Sequence, residues 1–272
     1  MKTMRITKLS FTISSAFSVC SILLASTITH AAPVPISSST LDKGDDTETR
    51  FGLGFTSSIA QRPFVGVDSQ DSSLIYISLR YKDFYIEGLD AGYHLWKNKN
   101  LSLDLLATPR FYEVEAGFAK NGELDGIDKT SPTYFAGLSS QYRTKPLTYT
   151  LQLLTDIKES DGTELLLTAS KTFKPGKAIA LAPAVGITYQ DKKLVDHFYG
   201  VQSNEVISGR PAYGGHASTN YHVSLTSSWN ATKHIQLLGQ LKYEQLGSGI
   251  SDSPIVDDDS ITTIAIGLVY RF

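Results

Sequence analysis

The sequence predicts an all-β fold: a closed antiparallel transmembrane β-barrel of about 12 strands, with ten as the fallback. Three observations predict it. From Arg50 onward the chain is a series of long runs in which apolar and polar residues alternate. After the first 31 residues there is no apolar stretch long enough to cross a bilayer as a helix. The last run, Ile264, Ile266, Leu268, Tyr270 and Phe272, alternates up to an aromatic that is also the final residue. A strand turns successive side chains to opposite faces, so each run describes a sheet with two environments.

Residues 1–31 read as a secretory signal peptide. Lys2, Arg5 and Lys8 form a basic start, and Leu9 to Leu24 is mostly apolar and small. Thr29-His30-Ala31 then offers small residues for cleavage. Cleavage after Ala31 is favoured over Ala32, because the latter would leave Pro33 at the new terminus. The only cysteine, Cys20, leaves with the signal. No disulfide and no thiolate metal site is then expected. The chain holds 25 Lys+Arg against 27 Asp+Glu, and loss of three bases makes it more acidic. That composition argues against a nucleic-acid partner. Residues 32–49 are rich in Pro, Ser, Thr and charge and read as a flexible periplasmic lead-in.

The barrel is assigned to residues 50–272. Ile235, Leu237, Gly239, Leu241 and Tyr243 alternate with Gln236, Leu238, Gln240, Lys242 and Glu244. Tyr221, Val223, Leu225, Ser227 and Trp229 alternate with His222, Ser224, Thr226 and Ser228. Leu147, Tyr149, Leu151 and Leu153 alternate with Thr148, Thr150 and Gln152. Eleven strands can be marked: 50–61, 73–81, 84–96, 101–114, 133–143, 146–157, 163–173, 178–190, 217–229, 234–246 and 260–272. A single-chain barrel with both ends in the periplasm needs an even number. One strand is therefore missed, and blurred alternation at Glu87, Asp90 and Gly92 places the error between Arg50 and Trp96. In this count 115–132, 191–216 and 247–259 fall on the outer side, while the 62–72 link falls on the periplasmic side. The inward phase holds Asp104, Arg110, Gln141, Arg143, Gln152, Asp156, Gln236, Gln240, Lys242 and Glu244. Charges of both signs predict ion pairs filling a narrow lumen. Open aqueous channels belong to barrels of about 16 strands or more.

A soluble sandwich also alternates, but its strands usually run about 5–6 residues. Aromatics such as Tyr81, Trp96, Tyr142, Tyr189, Tyr221 and Trp229 gather near strand ends, where a barrel places its interfacial girdles. These features together point to the outer membrane of a Gram-negative bacterium.

From Phe51 to Phe272 the chain resembles the MipA/OmpV family of outer-membrane proteins. Phe51-Gly52-Leu53-Gly54 and Phe64-Val65-Gly66-Val67-Asp68 carry the start of the likeness. Phe198-Tyr199-Gly200-Val201, then Arg210-Pro211-Ala212-Tyr213, resemble a family loop, with Phe198 in place of a Tyr. Asp252-Ser253-Pro254-Ile255-Val256 resembles a second loop. The resemblance implies a non-enzymatic barrel without a cofactor, set in outer-membrane lipid. It implies a scaffold that joins a murein-cleaving lytic transglycosylase to a murein synthase, with a narrow porin-like channel or adhesin as the alternative. It also implies that the barrel assembly machinery reads Leu268, Tyr270 and Phe272.

Other constellations are weaker. His222 among Asn220, Ser224 and Ser228 lies on the polar face, as a hydrogen-bonding group more readily than a catalytic base. Asp196-His197 would need both side chains on one side, which adjacent strand residues do not provide. Asp252 with Asp257, Asp258 and Asp259 reads as solvated loop charge, lacking the glycine and closing Glu of a calcium loop. Glu123-Leu124-Asp125-Gly126-Ile127-Asp128 reads the same way.

Overall fold

A computed structural model describes residues 50–272. The signal and lead-in assigned above, with Ala31 and Ala32, lie outside the described residues.

Twelve antiparallel strands close into one barrel, each pairing with its sequence neighbours and the first with the last. They are β1 Arg50–Ala60, β2 Gln70–Tyr81, β3 Phe84–Glu87, β4 Asp90–Lys97, β5 Leu101–Arg110, β6 Thr133–Arg143, β7 Thr148–Asp156, β8 Thr163–Ser170, β9 Ile179–Gln190, β10 Ser218–Asn230, β11 Ile235–Gln245 and β12 Ser260–Arg271. Closure is the pairing of β1 with β12, from Gly52 opposite Arg271 to Ala60 opposite Thr263. It joins the first strand to the last, so neither is a free edge in lipid.

The missed strand is explained. The run read as one strand over 84–96 is two, β3 and β4, folded back at Gly88. Gly88 has a φ of 64°, a left-handed conformation that glycine adopts without penalty. The extra reversal moves the link after β1 from the periplasmic side to the outer side. The links 61–69, 111–132, 191–217 and 246–259 then lie at one end of the barrel, and Arg50 and Phe272 lie at the other. Ser160-Asp161-Gly162 belongs to an outer link, where Asp156 accepts from the amides of Lys158, Glu159 and Ser160.

The two faces follow the alternation. On β12 Ile264, Ile266, Leu268 and Tyr270 are exposed while Ala265 and Val269 are buried. Ile266 is 65% exposed and Val185 57%. So large an apolar exterior is untenable in water and expected in hydrocarbon. Inward, Arg110 pairs with Glu164 at 2.8 Å, Lys242 with Glu244 at 2.6 Å and His94 with Asp104 at 2.5 Å. Tyr81, Trp96, Tyr142 and Trp229 mark the periplasmic girdle, close to the turns after β2, β4, β6 and β10.

The principal apolar core is at the outer end rather than mid-barrel. Phe64, Val67, Val114, Leu124, Ile127, Val201, Ile250, Ile255 and Val256 come from the outer links and pack with Leu106, Phe135 and Leu154 of the wall. The outer link marked from the sequence as 191–216 spans 191–217 and contains the helix α1, Lys192–Tyr199. Asp191 caps it by accepting from the Leu194 amide at 3.0 Å. Its buried residues are Leu194, Val195, Phe198 and Tyr199, one stripe facing the core. A short helix α2, Ser248–Ser251, follows β11.

Candidate functional site

The two loops singled out by sequence meet in this outer roof. Phe198 and Tyr199 are the last turn of α1, and Gly200 caps it. Tyr199 stacks on Phe64 with ring centroids 5.6 Å apart, and Tyr112 meets Phe198 edge-on at 5.6 Å. Val201 bridges Tyr213, each amide donating to the other's carbonyl at 2.9 and 3.0 Å. Ser253 Oγ donates to the Tyr199 carbonyl at 2.6 Å. Pro254 is half-buried, while Pro211 and Asp252 are exposed.

Arg210 is a buried cation spent on carbonyls. Its Nη2 donates to Asp125 O at 2.7 Å and Glu205 O at 2.8 Å, and its Nη1 to Glu123 O at 3.1 Å. The fixed fork of a guanidinium suits such multiple acceptance. The acidic stretch 123–128 is thus part of the roof: Leu124 is fully buried, and Glu205 accepts from the Asp128 amide at 2.7 Å.

Tyrosines of the roof are held neutral. Burial, aided by the Glu164 carboxylate that accepts from its hydroxyl at 2.6 Å, pushes the Tyr112 phenol well above its ordinary value. Burial with the charge of Glu244 does the same to Tyr199. At exposed Glu123 the Asn121 side chain and nearby amides hold the carboxyl below the usual range.

An outer cleft of about 440 Å³ opens between the links 111–132, 157–162 and 191–217. Asp128, Lys129, Glu159, Lys193, His197 and Gln202 line it. Asp196 and His197 lie on a helix, not on a strand, so the strand argument against their cooperation does not apply. They are nonetheless separately engaged. Asp196 accepts from the Gly215 amide at 2.7 Å, and His197 packs edge-on against Phe198 at 4.6 Å. His222 faces the lumen, with its ring where a side chain on Gly186 would stand. Among the described residues no hydrogen bond joins it to Ser224 or Asn220. Asn220 instead accepts from Ser218 and from the Gly247 amide, both at 3.0 Å. Among the described residues no three potential ligands converge as a metal site, and Asp257 and Asp258 are tied through their amides to the Pro63 carbonyl.

At the terminus, Leu268 and Tyr270 face outward on β12, and Phe272 lies just beyond it. The Phe272 ring stacks on Phe51 at 5.2 Å and meets Tyr270 edge-on at 5.0 Å. Sequence reasoning missed the roof and α1. The signal for α1 was present in the spacing of Leu194, Val195, Phe198 and Tyr199.

Comparison with known proteins agrees with this architecture. The family model described as "MltA-interacting protein MipA" matches residues 53–272. The chain is 24% identical over 228 residues to the "Putative outer membrane protein YiaT" of Escherichia coli (strain K12), covering 83% of this chain and 92% of that one. It is 24% identical over 229 residues to the "MltA-interacting protein" of the same strain, covering 83% and 91%. It is 23% identical over 210 residues to "Outer membrane protein OmpV" of Vibrio cholerae, covering 75% and 80%. The closed barrel and the match over nearly all of it lead to one conclusion: this chain belongs to the MltA-interacting protein MipA family and is a β-barrel of the outer membrane.

Proposed function

We propose that this chain is a non-enzymatic scaffold, anchored by its barrel and engaging murein enzymes from the periplasmic side. One relative is named for an interaction with MltA, and that name motivates the partner. The observation that carries the reading here is the periplasmic rim. Its neighbouring turns 144–147, 171–178 and 231–234 present Lys145, Lys171, Lys174, Lys177 and Lys233, all exposed, and contain no acidic residue. A one-sign surface steers and orients an acidic partner. The opposite end is closed by a packed apolar roof, which supports anchoring over passage along the barrel axis.

Pull-down from periplasmic extract tests this. Detergent-solubilised protein is expected to enrich a lytic transglycosylase, and replacing Lys145, Lys174, Lys177 and Lys233 with Glu is expected to abolish the enrichment. Equal recovery on an unrelated barrel overturns the scaffold reading.

A further inference from the structure

The β3–β4 hairpin is too short to complete the wall. β3 pairs with β2 only from Ser78 to Tyr81. β4 pairs with β5 only as far as Ala91 opposite Ala107. Above the hairpin no strand lies between β2 and β5, and the two do not pair with each other. At the hairpin β2 and β5 stand three strand spacings apart, each about 4.8 Å. Arg62 spans the top, donating to the Gln70 side chain and to the Phe111 carbonyl, both at 2.9 Å.

The edges of this gap have a definite backbone phase. The Ile77 carbonyl accepts from the Gly88 amide at 2.8 Å, so Ile77 directs its polar groups toward β3. In an antiparallel ladder alternate residues share that direction. Ile75, Ser73 and Asp71 therefore aim their N–H and C=O groups into the gap, where among the described residues no backbone partner meets them. The facing edge carries Pro109, in phase with Leu101, whose carbonyl accepts from Asn98 on the β4 side. Proline has no N–H to leave unpaired and belongs on such an edge.

Bare backbone groups are not tolerated in hydrocarbon. Either water or another strand must satisfy them. The outward side chains beside the gap favour water. Ser57 and Ser73 face outward at hydrogen-bonding distance, 3.3 Å, and Asp71 is exposed beside them. Ser57 interrupts an otherwise apolar face between Phe55 and Ile59. Charge on a strand edge is also a device that prevents pairing with a second chain. Behind the gap, Tyr76 is only 2% exposed. Its hydroxyl donates to Glu87, and its ring covers Gly88, where an added Cβ would stand 3.1 Å from Cε2.

We propose that this gap is a hydrated lateral window toward the outer end of the barrel wall, admitting water and small hydrophilic solutes from the outer interface, with Tyr76 the side chain that closes it from the lumen. The roof and the window are then separate closures, one across the axis and one through the wall.

Cysteine accessibility tests the window in a Cys20→Ser background. Ile75→Cys and Ile59→Cys are each placed in phosphatidylcholine vesicles and treated with a charged, membrane-impermeant maleimide. Ile75 pairs with Phe55, deeper along β1 than Ile59, so depth alone makes Ile59→Cys the faster. The window reverses that order, with Ile75→Cys faster by roughly tenfold or more, because hydrocarbon excludes the charged reagent. The depth order, or equal slow reaction, overturns the proposal. Oxidative dimers of Ser73→Cys also overturn it, in favour of a second copy covering the edge. Vesicle swelling in a small neutral sugar tests the closure. Tyr76→Ala is expected to raise uptake severalfold over the wild type and over Tyr76→Phe. Unchanged uptake by folded Tyr76→Ala overturns the role given to Tyr76. Should that variant not fold, the Ile75 and Ile59 rates decide the window alone.

Discussion

Ser253 Oγ donates to the carbonyl oxygen of Tyr199 at 2.6 Å, joining two outer links 54 residues apart. Both groups are buried, so the bond has no replacement by water. Ser253→Ala leaves that carbonyl unsatisfied, at about 1–3 kcal/mol. The roof's open fraction then rises about 5–150-fold. Limited proteolysis of intact cells reads this as faster cleavage within 246–259, with the barrel strands still protected. Unchanged cleavage would show that the bond does not hold the roof.

The phase of β7 predicts opposite responses from neighbouring residues. Leu151 is 46% exposed to the outside, while Gln152 faces the lumen. Leu151→Lys places a charge in hydrocarbon and costs about 2–4 kcal/mol near the bilayer midplane. Gln152→Lys exchanges one polar lumen group for another at small cost. Urea unfolding in lipid vesicles measures both. Equal losses would mean the face assignment is wrong.

Alkaline pH loosens the roof through its tyrosines. Tyr112 and Tyr199 ionise far less readily folded than unfolded. A raised folded value means the stabilisation is fully present below the unfolded value of about 10. It is lost as pH rises beyond that toward the folded value. Proteolysis of the outer links is expected to accelerate above about pH 10, and Tyr112→Phe with Tyr199→Phe to flatten the rise. A rise that persists in the double variant assigns it elsewhere.

How much was legible in the sequence depended on how local the cause was. Alternation along β7, β10, β11 and β12 follows from a two-residue period, and one apolar and one polar environment suffice to write it. The β3–β4 hairpin was obscured because β3 has only four residues, too few to establish a period. Buried Glu87 beside exposed Phe84 does not look like a lipid-facing strand. Gly88 was the available sign, as a left-handed reversal between Glu87 and Leu89. The roof was less visible for a different reason. Phe64, Leu124, Ile250 and Ile255 are single apolar residues in separate polar links, and only closure of the barrel brings them together. The resemblance marked Phe198, Tyr199, Arg210 and Ser253 as a group without giving their role; their contacts are those of roof packing.

Single-channel recording in planar bilayers tests the roofed barrel most directly. Wild-type protein is predicted to insert without resolvable conductance steps, while deletion of the roof-forming segment 248–256 opens steady steps along the axis. Reproducible steps from the intact protein, unaltered by that deletion, would contradict a lumen closed by its outer links.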